Sequence, residues 1–110
     1  MSFWGENTIH MWVNMNGQNT PAARDSYGLS SISDNGTGDY TCNFSTATAN
    51  DNYCVLGGNV GGTSNYHSTP FAAGSYTLST SSIRFSTPAM SNLSVMQDTN
   101  VIHICVITDN

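Results

Sequence analysis

Residues 34–44 read DNGTGDYTCNF, and this stretch carries the clearest structural signal in the chain. Its first five residues combine Asp, Asn, Thr and two glycines, a composition typical of the tight turn of a β-hairpin. Apolar and polar side chains then alternate, with Tyr40, Cys42 and Phe44 on one side and polar residues between them. A period of two is typical of a strand that buries one face. The stretch therefore predicts a hairpin turn followed by a strand whose Tyr40, Cys42 and Phe44 face the core.

The same alternation recurs along the chain and predicts the fold class. It is clear at Ile83 and Phe85, and again in residues 9–15, which end at the turn dipeptide Asn16-Gly17. In that segment Ile9, Met11, Val13 and Met15 are expected to face inward and His10, Trp12 and Asn14 outward. The remaining strands are predicted at Tyr27–Ser33, Asn52–Leu56, Ser75–Ser79, Ser82–Ser86, Leu93–Met96 and Asn100–Thr108, with Gly57–Gly62 as a loop. About eight strands at intervals of roughly 8–12 residues indicate an all-β fold, an antiparallel β-sandwich or small barrel.

Composition bounds the number of domains and the class of partner. The chain has 110 residues, which suits a single domain over residues 1–110 with an N-terminal arm at residues 1–8. Only 8% of residues are charged, lysine is absent, and Arg24 and Arg84 face seven acidic residues, for a net charge of −5. Nucleic-acid binding depends on Lys and Arg contacts to phosphate, so no nucleic-acid partner is expected. Docking on an anionic membrane is excluded on the same ground, and no apolar run reaches the roughly 20 residues of a membrane span.

The last predicted strand is apolar on both faces. Val101, His103, Cys105 and Ile107 share one face, and Ile102, Ile104 and Val106 share the other. Such a strand lies either in the centre of a covered sheet or against another subunit. An uncovered apolar strand would favour aggregation, so the subunit contact is the preferred interpretation. It assigns Ile102, Ile104 and Val106 to an interface and predicts a homotrimer.

Residue types that carry catalysis or bind metals are sparse. The segment Asp34–Asp39 has oxygen ligands but lacks the spacing of a calcium loop, so a hairpin turn is preferred. His10, His67 and His103 are far apart in sequence and are interpreted as core or surface residues rather than metal ligands. The odd count of three cysteines, Cys42, Cys54 and Cys105, favours free thiols and synthesis in a reducing cytoplasm. We expect no enzymatic activity, no metal and no cofactor.

Aromatic residues beside Asn or Asp are the candidates for ligand binding. An exposed aromatic ring stacks on the apolar face of a sugar while amides and carboxylates bind its hydroxyl groups. Trp12, on the polar side of its strand, is the best candidate, and Tyr53 and Tyr66 are the next. The alternative is that these rings only pack in the core or at an interface.

Several runs together resemble a β-module of tailed-bacteriophage surface proteins. They are Trp12–Gly17, Arg24–Tyr27, Ser30–Thr41, Asn43-Phe44 and Asn52-Tyr53, of which the run ISDNGTGDYT (32–41) is the most specific. The resemblance is close over about 40 of the 110 residues and weaker in the second half. It implies a structural protein on the surface of a virion, made in the host cytoplasm, and gives no catalytic residue.

Two places on a phage particle fit this resemblance. With only residues 1–8 ahead of its first predicted strand, the sequence lacks the long shaft by which tail fibres attach. A capsid cement or decoration protein that binds the major capsid protein is therefore the first expectation, with Phe3 and Trp4 as interface anchors because aromatic residues dominate interface hot spots. The alternative is a tail-fibre tip or adhesin that binds a host receptor or glycan.

Overall fold

A computed structural model describes residues 8–60, 67–68, 76–89 and 92–108. Every regular element in these ranges is a β-strand, and every strand pair is antiparallel. The strands are β1 (Thr8–Asn16), β2 (Ala22–Tyr27), β3 (Leu29–Gly36), β4 (Asp39–Phe44), β5 (Cys54–Val60), β6 (His67–Ser68), β7 (Thr77–Leu78), β8 (Ser82–Ser86), β9 (Pro88–Ala89), β10 (Asn92–Met96) and β11 (Val101–Thr108).

Two sheets form the body of the fold. One has five strands in the order β2-β1-β11-β5-β6, and the other has four in the order β3-β4-β8-β7. A small ribbon of β9 and β10 stands beside them. The inner faces of the two sheets share one cluster of buried side chains. The predicted all-β antiparallel sandwich is therefore confirmed.

The core contains the residues that alternation indicated. Tyr40, Cys42, Ile83 and Phe85 have no exposed surface, and Phe44 is 7% exposed. From the other sheet, Met11, Val13 and Met15 face them as predicted.

Ile9 departs from the predicted inward face, since 51% of its surface is exposed. A β-bulge between Ile9 and Met11 shifts the register against β11. A bulge adds one residue to a strand and so reverses the alternation beyond it. His10 turns inward instead, and its ring meets that of Phe44 edge-on at 5.3 Å between centroids.

The predicted strand Tyr27–Ser33 is confirmed from Leu29 onward, within β3, but its start is wrong, because Gly28 places Tyr27 in the other sheet. Gly28 has φ +72°, and a Cβ there would lie 2.2 Å from the carbonyl oxygen of His10. Only glycine combines this backbone conformation with such a close approach. The strand before it, β2, was not predicted because Ala22–Tyr27 is polar and mostly exposed, as an edge strand can be.

The prediction that Gly57–Gly62 is a loop is wrong for its described part. Gly57 and Gly58 belong to β5 and pair with Ile104 and His103 of β11. Strand pairing uses backbone groups alone, so a neighbouring apolar strand can hold glycines that have no side chains to contribute. Residues 61–62 lie outside the described residues.

The C-terminal strand is the centre of the five-stranded sheet, between β1 and β5. Ile102, Ile104 and Val106 are 0%, 2% and 0% exposed within a single chain. Their assignment to an interface is therefore wrong, because they present no surface to a neighbour. An apolar strand was expected either inside a covered sheet or against another subunit. The face of Ile102, Ile104 and Val106 is covered by the second sheet of the same chain.

Hydrogen bonds join three connections at one end of the sandwich, which we call the closed end. The Tyr40 hydroxyl lies 2.7 Å from the Gly17 carbonyl oxygen and 3.0 Å from Asp98 Oδ1, and Gly38 N–H donates to the same carboxylate oxygen at 2.8 Å. Gly17 N–H donates to the Thr99 carbonyl. A Cβ at Gly17 would lie 2.6 Å from the Tyr40 hydroxyl oxygen, so this contact also requires glycine.

Buried Tyr and Cys side chains predict a loss of stability in alkali. Burial raises the pKa of Tyr53 and of the Cys42 thiol, each to about 12. Burial and the hydrogen bond with Asp98 raise the pKa of Tyr40 as well. Unfolded Cys and Tyr lose their protons near pH 9 and 10, where the folded groups keep theirs. The contribution of these groups to the free energy of unfolding should therefore be fully present below pH 9. It should decrease progressively as the pH rises above 9.

Tyr40→Phe tests this account by denaturant unfolding at a series of pH values. At pH 7 we expect a loss of about 1–3 kcal/mol, since the Gly17 carbonyl and Asp98 lose a partner. Above pH 10 the variant should lose stability less steeply than the parent protein, because one late-titrating group is gone. Tyr27→Phe, on an exposed side chain, is the matched control and should keep the parent midpoint at pH 7. Equal slopes for Tyr40→Phe and the parent protein in alkali would contradict the assignment.

Candidate functional site on the outer face of the five-stranded sheet

The outer face of the four-stranded sheet is polar, and its side chains bind one another. Asn43 Nδ2 donates to the hydroxyl groups of Ser31 and Ser33 at 3.1 and 3.2 Å. Arg84 forms a bidentate pair with Asp39, with N–O distances of 3.0 and 2.7 Å. Polar groups that satisfy one another in this way suit a surface in contact with water.

The outer face of the five-stranded sheet carries a band of apolar side chains. A row of partners crosses four strands, from Tyr27 through Trp12 and Cys105 to Leu56. Tyr27 and Leu56 are 59% and 53% exposed, and Trp12 and Cys105 are half-buried. An isolated exposed apolar residue is ordinary, whereas a contiguous set on one face marks an interaction surface.

A shallow depression of about 430 Å³ lies in this face. Its position follows from β5, where Gly58 stands opposite His103 and contributes no side chain. A Cβ added at Gly58 would meet nothing within 4 Å. The residues around the depression that carry its chemistry are Trp12, Asn14, Leu56, Gly58, His103 and Cys105.

One side of the depression is polar. Asn14 and His103 are register partners, and the exposed His103 ring has no hydrogen-bond partner among the described residues. Arg24 donates to Asn14 Oδ1 at 3.4 Å and to the Asn100 carbonyl oxygen at 2.8 Å. Arg24 thus lies beside the Asn14 amide oxygen, and Asn14 Nδ2 donates to no group among the described residues.

The first and last described strands, β1 and β11, have paired ends at what we call the terminal end. Thr8 pairs with Thr108, and the next partners are Ile9 and Ile107. On the other side of β11, Cys54 pairs with Ile107. Ile9 and Cys54 are exposed and Ile107 is half-buried, so the terminal end is apolar as well.

The aromatic candidates have different positions. Trp12 lies in the depression, on the outer face as predicted. Tyr53 does not face a ligand, because it is 8% exposed, its ring packs against Phe44, and its hydroxyl donates to the Ser79 carbonyl at 2.8 Å. Tyr66, Phe3 and Trp4 lie outside the described residues. Sequence reasoning missed Leu56, Gly58 and His103 as neighbours of Trp12, because only strand order brings β5 and β11 beside β1.

Two of the groups considered for metal binding, the Asp34–Asp39 turn and His10, make structural contacts. In the hairpin turn, Asp34 Oδ1 accepts from Gly36 N–H, and Asn35 donates to Thr41, so the predicted turn is confirmed. His10 Nε2 lies 2.7 Å from the Thr46 carbonyl oxygen. Within the described ranges, no group of three or more His, Cys, Asp or Glu is placed to hold a metal ion.

Comparisons with family models, curated proteins and solved structures return no match for this chain. No helix long and apolar enough to cross a membrane occurs in the part of the chain that the structure describes.

The reactivity of the three cysteines tests how the strands that carry them are oriented. All are free, with Cys54 exposed, Cys105 half-buried and Cys42 buried. Burial raises the pKa of the Cys105 thiol, and the nearby Cys54 adds to the effect.

Thiolate is the reactive form, so a maleimide at pH 7 should modify Cys54 first, Cys105 more slowly, and Cys42 only after unfolding. Mass spectrometry of timed samples measures this order, and Cys54→Ser should remove the first step. Modification of Cys42 as fast as Cys54 would contradict the orientation of these strands.

Proposed function

We propose that this protein is a structural component of a tailed-phage particle, a cement protein that decorates the capsid exterior. The main support for the proposal is the arrangement of residues at the terminal end. The first and last described residues, Thr8 and Thr108, pair there, beside the exposed Ile9 and the half-buried Ile107. A partner that binds this end can contact folded surface and flanking chain together. The sequence resemblance to phage surface modules supports the same role.

Apolar contacts at the terminal end would supply the binding energy. Burial of an exposed isoleucine contributes roughly 1.5–3 kcal/mol. The flanking segment holds Phe3 and Trp4, whose large rings are the residue types that dominate interface hot spots. A protein bound in this way to the assembled capsid, and not to free subunits, stabilises the shell by mass action.

The charge of the chain favours a protein partner with a basic surface. Net charge is −5, and both arginines already bond within the chain, Arg84 to Asp39 and Arg24 to Asn100. Little positive charge is left for phosphate, which supports a partner other than nucleic acid or an anionic membrane. An acidic surface instead complements basic patches of a major capsid protein.

Self-association belongs to the same proposal. We expect a homotrimer, formed in the host cytoplasm or on the particle, whose subunits do not meet through the buried side of β11. A tail-fibre tip or adhesin remains the alternative, and the location of the protein on the particle separates the two.

A charge at the terminal end tests the attachment. Ile9→Asp should weaken binding to undecorated capsids by at least about tenfold, because an apolar contact is lost and a carboxylate is desolvated. Val95→Asp is the matched control: Val95 is 49% exposed against 51% for Ile9, and it lies in β10, whose end joins the closed end. Cosedimentation with capsids measures binding, and heat release of DNA measures the stability of the shell.

The control should bind like the parent protein and should raise the temperature at which capsids release DNA. Equal binding by Ile9→Asp and the parent protein would contradict attachment through the terminal end. Gold labelling only at the tail tip would contradict the cement role and favour the adhesin.

A further inference from the structure

We propose that the depression beside Trp12 is a carbohydrate-binding site that takes one pyranose ring of a surface glycan. The inference depends on the depression alone, and it applies whether the protein sits on the capsid or on the tail.

The depression combines the aromatic side chain of Trp12 with open space beside Gly58. Trp12 is half-buried on the outer face, and Gly58, which carries no side chain, leaves the space opposite His103 empty. A flat ring placed there would contact the Trp12 indole of β1 and the backbone of β5 at Gly58. Leu56 limits the depression on the apolar side.

Polar groups stand at one side only. Asn14 Nδ2 has no partner among the described residues, and Arg24 lies on the other side of the amide, 3.4 Å from Oδ1. The His103 ring provides a nitrogen donor and a nitrogen acceptor in its neutral form. A sugar ring likewise has an apolar side, the C–H groups on one ring face, and a polar edge that carries the hydroxyl groups.

The shallow shape favours a sugar over an apolar ligand. Drug-sized apolar ligands are held in clefts that bury 70–90% of their surface. This depression is open to solvent and covers one side of a ligand only. A stacked pyranose gains from that one contact and keeps its other hydroxyl groups in water.

The site is separate from the proposed attachment. His103 lies four residues before Ile107 in β11, a distance of about 13 Å along a strand. The Ile9→Asp test of attachment therefore changes none of the residues on the polar side of the depression.

A titration with lactose, cellobiose and chitobiose, followed by saturation-transfer NMR on the full chain, tests the assignment. We expect at least one of these disaccharides to bind with millimolar affinity and to transfer saturation from aromatic protons. Trp12→Ala should weaken binding by about tenfold, whereas Trp12→Phe keeps a ring for stacking and should weaken it less. Gly58→Val should abolish binding by filling the open space, and it should fold normally because β-branched residues suit strands. Tyr76→Ala, an exposed aromatic outside the depression, is the control and should bind like the parent protein.

The assignment would be overturned if none of the three sugars binds at 20 mM, on the order of the weakest affinity such a site has. It would equally be overturned if a sugar binds and both Trp12→Ala and Gly58→Val bind it unchanged. Binding of a proline-rich peptide at Trp12 without any sugar response would assign the depression to a peptide instead. Because no capsid is present in these measurements, their failure leaves the proposed attachment unaffected.

Discussion

The insertion of β11 between β1 and β5 is the constraint on which the rest of the structure depends. Its backbone pairs on both sides, and its Ile102, Ile104 and Val106 side chains fill the core against the four-stranded sheet. The same strand brings Trp12 of β1 and Leu56 of β5 to either side of Cys105. One strand thus determines both the core and the arrangement of the outer face.

The two outer faces follow from what each sheet does with its polar residues. In the four-stranded sheet, Asn43 and the Arg84–Asp39 pair bond across strands, so these polar groups already have partners within the sheet. In the five-stranded sheet the outward positions of β1, β5 and β11 include the apolar row of Trp12, Cys105 and Leu56, beside the polar pair Asn14 and His103. Such a face gains free energy when something covers it, which is the physical basis of both proposals.

Alternation of residue types predicted the core well, because burial of one strand face imposes a period of two. Tyr40 and Phe85 are examples that need no knowledge of strand order. The errors arise where backbone pairing decides the outcome. Gly57 and Gly58 have no side chains to alternate, and β2 is an exposed edge strand with no apolar face, so neither gave a signal of strand structure.

The candidate site could be predicted only in part for a related reason. Trp12 was identified because it interrupts the polar side of its own strand. Its neighbours His103 and Gly58 lie on strands distant in sequence, and their proximity depends on strand order and register. The bulge at Ile9 was equally unpredictable from alternation, yet it exposes the side chain on which the proposed attachment depends.

Amide hydrogen exchange of β11, measured at high and low protein concentration, tests most directly whether its inner face belongs to the core of one chain. A central strand of a single-chain sandwich should exchange among the slowest segments, far more slowly than the edge strand β2. Dilution should leave the rate unchanged, even where it dissociates an oligomer. Loss of β11 protection on dilution would contradict this placement, since it would show that a neighbouring subunit covers the strand.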